Sequence, residues 1–120
     1  MKIHIEDSST TKEIKEKFSR VYPYLKLEFF KKPHGEKEAS VKEDLIKGNK
    51  TIGEIRTKHN EGDLIIHPTT KAGELEQAFE DKFGIHVQVF RKSGRIWLET
   101  TSTDNWTLKE QNEVGMEMES

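Results

Sequence analysis

Two stretches of the chain carry the same succession of apolar and polar positions. Ile3 and Ile5 flank His4, and Leu64 and Ile66 flank Ile65, each with the period of two that a half-buried strand requires. Next, Ile14, Phe18, Val21 and Tyr22 recur at helical spacing, as do Leu75, Ala78, Phe79 and Phe83, so each set lines one helix face. Pro23 stops the first helix and Gly84 the second, since glycine enters the left-handed conformation after a helix without strain. Alternation then resumes at Leu25, Leu27 and Phe29, and at Ile85, Val87 and Val89, with Lys26, Glu28, His86 and Gln88 between.

The two stretches also align with each other. Ile3, Ile5, Ile14, Phe18 and Tyr22 match Leu64, Ile66, Leu75, Phe79 and Phe83 at a shift of 61, and Leu25, Leu27, Phe29 and Phe30 match Ile85, Val87, Val89 and Phe90 at a shift of 60. Each copy predicts strand, helix, strand. The pair predicts one α+β domain over 1–111, with copies at about 2–32 and 63–92. Its plan is ferredoxin-like: an antiparallel four-stranded sheet with both helices on one face. Ile96 and Leu98, facing opposite to Trp97 after a Lys92-Ser93-Gly94-Arg95 turn, predict a fifth strand.

Between the copies, Pro33, His34 and Gly35 break regular structure, while Ser40-Val41-Lys42-Glu43 has capping-box spacing and predicts a short helix. Thr107-Leu108-Lys109-Glu110 repeats that spacing near the end. Residues 112–120 offer little to pack, so an acidic disordered tail is expected from Asn112.

A second plan fits the latter half, where Thr51 to Ile55 can pair with Leu64 to His67 as a hairpin across the His59-Asn60-Glu61-Gly62 turn. That order resembles a β-grasp, and Trp106 to Asn112 is similar to the short segment that follows the sheet in ubiquitin-like proteins. A conjugating role does not follow, because the sequence reads Met116-Glu117-Met118-Glu119-Ser120 where a modifier carries paired glycines. Separately, Val87 to Gly94, Trp97 to Thr100 and Asp104 to Leu108 together resemble a family of small bacterial proteins with no assigned activity. That resemblance implies no catalytic residue.

Composition narrows the chemistry. Among 120 residues there is no cysteine, which excludes disulfides, thiolate nucleophiles and cysteine-based metal sites. Twenty basic against twenty-two acidic side chains leave a net charge of −2, unlike a general nucleic-acid or anionic-membrane binder. No apolar run approaches membrane-spanning length, and no secretory signal opens the sequence, so a cytoplasmic protein is expected. Nucleophile elbow, phosphate loop, dinucleotide fingerprint and His-Glu-x-x-His motifs are missing from it. His4, His34, His59, His67 and His86 show no ligand spacing, although the strands bearing His4 and His67 can bring those two together, and His59 with Asp63 reads as part of a turn. Glu74, Glu76, Glu80 and Asp81 read as a solvated helix face. No metal, cofactor or catalytic residue is expected.

What remains is the sheet face turned away from the helices. Alternation assigns Phe30, Ile65, Phe90 and Trp97 to it, more apolar surface than a soluble monomer ordinarily leaves bare. Either the segment Thr101 to Gln111, with Trp106 and Leu108, folds back over these rings, or a partner covers them. The second reading makes the chain a non-enzymatic interaction or self-assembly module, binding another protein or a second copy through Phe30, Ile65, Phe90, Trp97 and Trp106. The alternatives are single-stranded nucleic acid stacked on the rings, with Lys31, Lys32, Arg91, Lys92 and Arg95 as phosphate contacts, or a small enzyme.

Overall fold

A computed structural model of the chain describes residues 1–33 and 41–119. His34, Gly35 and Ser40, expected to break and then cap the middle segment, lie outside them. The elements follow the repeated order: β1 (Lys2–Ile5), α1 (Thr11–Val21) and β2 (Leu25–Phe30), then β3 (Gly62–Ile65), α2 (Ala72–Phe83) and β4 (His86–Ser93), with β5 (Ile96–Glu99) and α3 (Leu108–Glu119) after them. Short 3-10 turns form at Lys42–Asp44, Ile52–Ile55 and Thr101–Thr103. Thr10 caps α1 by accepting the Glu13 N–H at 3.2 Å, and Gly84 ends α2 at a φ of 67°.

The molecule is α+β, but its strands divide into two antiparallel sheets where one four-stranded sheet was expected. β1 pairs with β3, Ile3 opposite Leu64, while β2, β4 and β5 form a three-stranded sheet in that order. Equivalent strands of the two copies thus pair with each other. The reason lies at the edge of β2. The Ile46 N–H donates to Phe29 O at 2.8 Å and the Lys31 N–H to Asp44 O at 2.9 Å, so residues 44–46 occupy the edge that β1 or β3 would have needed. Both sheets and all three helices nevertheless contribute to one apolar cluster, from Ile3 and Ile5 through Phe18, Leu27 and Phe79 to Leu108.

The β-grasp hairpin does not form. Thr51 to Ile55 winds into a 3-10 turn because Glu54 accepts the Thr51 N–H at 2.8 Å, and the Ile52 and Gly53 N–H groups donate to Ser9 O and Asp7 O. The strand edge it was to join is taken by β1.

The tail is a second correction: residues 108–119 are helical. Thr107 and Glu110 complete the capping box, each accepting the other's backbone N–H at 3.0–3.1 Å. What α3 buries is unusual, for beside Leu108 its buried positions are Gln111 and Gly115. Gln111 donates to Thr103 O at 2.6 Å and accepts from Arg91 Nη1 at 2.6 Å, while Asn112 accepts the Tyr24 N–H at 2.9 Å. Gly115 sits so close to β2 that an added Cβ would stand 2.8 Å from Tyr24 Cβ. Among the described residues no helix is long and apolar enough to cross a membrane.

Glu76 also departs from expectation, being buried on α2. β5 accompanies β4 only as far as Phe90, and beyond it Glu76 accepts the Val89 N–H at 2.8 Å and the Gln88 amide at 3.0 Å. Glu76→Ala leaves those donors without that acceptor and is expected to cost about 1–3 kcal/mol in chemical denaturation. Gly115→Ala forces α3 off β2 and should cost a similar ~1–3 kcal/mol, with helical content lost at a lower denaturant concentration than the sheet.

Candidate functional site

The outer face of the three-stranded sheet follows from the register. Lys26 lies opposite Phe90, Phe90 opposite Glu99 and Lys92 opposite Trp97, so these side chains share one face, while Val89, Arg91 and Leu98 point to the other. Phe90 and Trp97 are both half-buried. Their cover is cationic: Lys26 Nζ stands 4.9 Å from the Trp97 ring centre and 5.5 Å from that of Phe90, and Lys92 Nζ stands 5.3 Å from Trp97. Glu28 holds Lys26 at 3.7 Å and Glu119 holds Lys92 at 3.6 Å, which fixes the ammonium groups over the rings.

Of the five residues assigned to a docking face, only Phe90 and Trp97 come together. Phe30 is 4% exposed, and its backbone bridges to Leu45 at the sheet edge. Ile65 is 55% exposed but belongs to the other sheet, opposite Lys2. Trp106 lies against Arg91, 5.5 Å from its guanidinium carbon, and Arg91 points away from Phe90 and Trp97. The segment 101–111 therefore does not fold over the outer rings; it packs on the opposite side of the sheet. The five basic residues are dispersed as well. Lys31 follows Phe30 at the end of the sheet where His86 lies, whereas Lys92 and Arg95 are at the Leu25 end, roughly 23 Å away along the strands. Arg91 is committed to Gln111, and burial pushes its guanidinium below the usual value.

The described histidines do not pair with each other. His4 lies opposite Asp63 in the β1–β3 ladder, and its Nδ1 is 2.8 Å from Asp63 Oδ1; on the other side its Nε2 is 3.1 Å from Glu61 and 3.5 Å from Glu6. His67 falls beyond that ladder, its N–H donating to Thr70 Oγ1 at 3.0 Å. His59 meets Asp7 at 2.9 Å. The Asp63 hydrogen bond first, then those of Glu6 and Glu61, hold the His4 pKa above its usual 6.5, while the same bond holds the Asp63 carboxyl low. Single atoms of His4, Glu6 and Glu61 also lie within 4.8 Å of one another, a set able to ligate a cation if the ring is neutral. Both ring nitrogens face carboxylates, so below that raised pKa a proton holds the position.

Two further groups were not legible as functional or structural in the sequence. Arg56, its side chain fully buried, donates to Asp7 Oδ1 at 2.9 Å, Asn60 O at 2.6 Å and Phe83 O at 3.1 Å, and thereby ties the loop after β1 to the end of α2. The Arg56 hydrogen bond, before that of His59, holds the Asp7 carboxyl below its usual range. A cleft of about 320 Å³ beside α2 is lined by Glu74, Glu76, Glu80, Asp104 and His86, whose buried Nδ1 has no hydrogen-bond partner among the described residues. Of these carboxylates Glu76 is spent on the backbone of β4.

The His4 cluster sets a pH dependence. Its raised pKa means that protonated His4 contributes stability fully below about pH 6.5 and loses it as pH climbs through the folded value. Lys2 and Lys82 face the same Asp63. Thermal unfolding of the wild type should therefore show a fall in midpoint above pH 6.5 that His4→Gln removes; identical profiles for the two would contradict the assignment. No family model, curated protein or solved structure matches the chain.

Proposed function

We propose that this protein is a non-enzymatic interaction or self-assembly module that docks another polypeptide along β5 and the adjoining outer face. The observation that carries the reading is the state of β5. It is the edge of the three-stranded sheet, and it presents Ile96 at 59% exposure and Leu98 at 39% on one side, with half-buried Trp97 on the other. Three consecutive apolar side chains on an edge strand that no other described residue covers combine backbone groups unpaired among the described residues with hydrophobic area, the two ingredients of strand addition. The opposite edge of the sheet, by contrast, is occupied by residues 44–46.

The ferredoxin-like kinship of the two copies belongs to the same proposal: a duplicated strand-helix-strand scaffold whose second copy has acquired a docking strand. Supporting it are the shared element order and the pairing of equivalent strands. The separation of Lys31 and Lys32 from Lys92 and Arg95 speaks against a nucleic-acid track.

A photoreactive residue in place of Ile96, in the full chain expressed in cells, is expected to cross-link to another polypeptide, whereas one in place of Lys12 on α1 is not. Trp97→Ala should lower the yield from position 96 with the thermal midpoint little changed. Equal yields from both positions, or none from position 96, would overturn the proposal.

A further inference from the structure

Which backbone groups of β5 are free follows from two hydrogen bonds. The Lys92 N–H donates to Tyr24 O at 2.9 Å, and the Thr100 N–H donates to Val89 O at 3.2 Å. Even-numbered residues of β4 therefore bond to β2 and odd-numbered ones to β5. Arg91 lies opposite Leu98 and Ser93 opposite Ile96, so Ile96 and Leu98 spend their N–H and C=O groups on β4. Trp97 and Glu99 direct theirs outward, away from the sheet.

The sequence around this edge is complementary to itself. It reads Arg95-Ile96-Trp97-Leu98-Glu99, basic at one end, acidic at the other and apolar between. Antiparallel to a second copy and centred on Trp97, Arg95 of each chain lies beside Glu99 of the other, Ile96 beside Leu98, and Trp97 beside its counterpart. Among the described residues neither Arg95 nor Glu99 has an ion pair within the chain. Slipping the register by two residues in either direction keeps the hydrogen-bond pattern but separates both charge pairs and places a charged residue against Trp97.

We infer that the partner of β5 is a second copy of this chain, added antiparallel in the register that places Trp97 opposite Trp97. The inference rests on the docking function proposed above and names its partner. The central Trp97 pair exchanges two backbone hydrogen bonds, because the outward groups of both strands are those of Trp97. On the outer face the two indoles are flanked on each side by Glu99 of one chain, which Arg95 of the other meets from the turn that leads into β5; on the other face Ile96 and Leu98 of both chains close into one apolar group. The contact is isologous, so it closes as a dimer without propagating, and the two three-stranded sheets become continuous. Nothing in Ile-Trp-Leu-Glu carries the proline, bulge or inward lysine with which edge strands block such pairing.

Sedimentation of the full chain over a range of concentrations tests this by charge exchange. The wild type should show a monomer–dimer equilibrium. Arg95→Glu sets like charges beside each other at both ends and is expected to raise the dissociation constant about tenfold. Glu99→Arg should do the same, and the double variant Arg95→Glu/Glu99→Arg should restore dimerisation, a recovery that loss of folding in either single variant does not permit. A wild type that stays monomeric to about 1 mM overturns the inference. A dimer that neither single variant weakens, or that the double variant does not restore, overturns this register while leaving an interaction module that docks elsewhere. Cross-linking from position 96 to a different polypeptide, with a monomeric purified chain, likewise overturns the second copy as partner and keeps the docking function.

Discussion

The arrangement depends on how the hydrogen-bonding edges of β2 and β4 are filled. β2 has β4 on one side and residues 44–46 on the other; β4 has β2 on one side, and on the other first β5 and then Glu76. Buried backbone groups must be paired, and with its Phe29–Lys31 end bonded to residues 44–46, β2 no longer offers a full-length edge to β1 or β3. The first strands of the two copies are left to pair with each other, which gives two sheets over one core. β5 is the consequence at the far side: it completes part of β4 and in doing so becomes the open edge.

Polar contacts do the positioning that apolar burial leaves undecided. Burying Ile14, Phe18, Leu75 and Phe79 drives α1 and α2 inward, but burial is non-directional. Arg56 sets the end of α2 against the loop after β1 through acceptors on Asp7, Asn60 and Phe83, and Glu76 fixes the same helix to β4. α3 goes further. It is held by Gln111, Asn112 and the close approach at Gly115, with Leu108 as its one large buried apolar side chain. A helix held this way is specific about its position, since each hydrogen bond is lost outright if the helix slides by a turn.

The outer face shows a related economy. Phe90 and Trp97 would be a liability if bare, and the chain tempers them with Lys26 and Lys92, whose aliphatic stems cover apolar surface while the ammonium groups meet the rings. Among the described residues the edge of β5 has no such cover, and Ile96 and Leu98 stand out from it. Face and edge together therefore concentrate the accessible apolar surface of this sheet at the hairpin formed by β4 and β5.

The strand-helix-strand order of both copies, the end of α2 at Gly84 and the fifth strand at Ile96 to Glu99 are legible from residue spacing, because period-two and helical spacing and a glycine after a helix are local signals. The start of α3 was equally legible in Thr107 and Glu110. Its continuation past Asn112 was not, because Gln111 and Gly115 become packing residues only where Thr103, Arg91 and Tyr24 meet them. Alternation correctly put Phe90 and Trp97 on one side, yet it grouped them with Ile65 and Phe30, which a different sheet and the bridge at Leu45 remove. Tertiary structure alone decided which strands pair and which edge stays open. The alternation of side chains states only that a strand has a buried face; the choice of neighbour is made by backbone groups that are the same in every residue, and they are claimed by whichever segment the folded chain brings within reach.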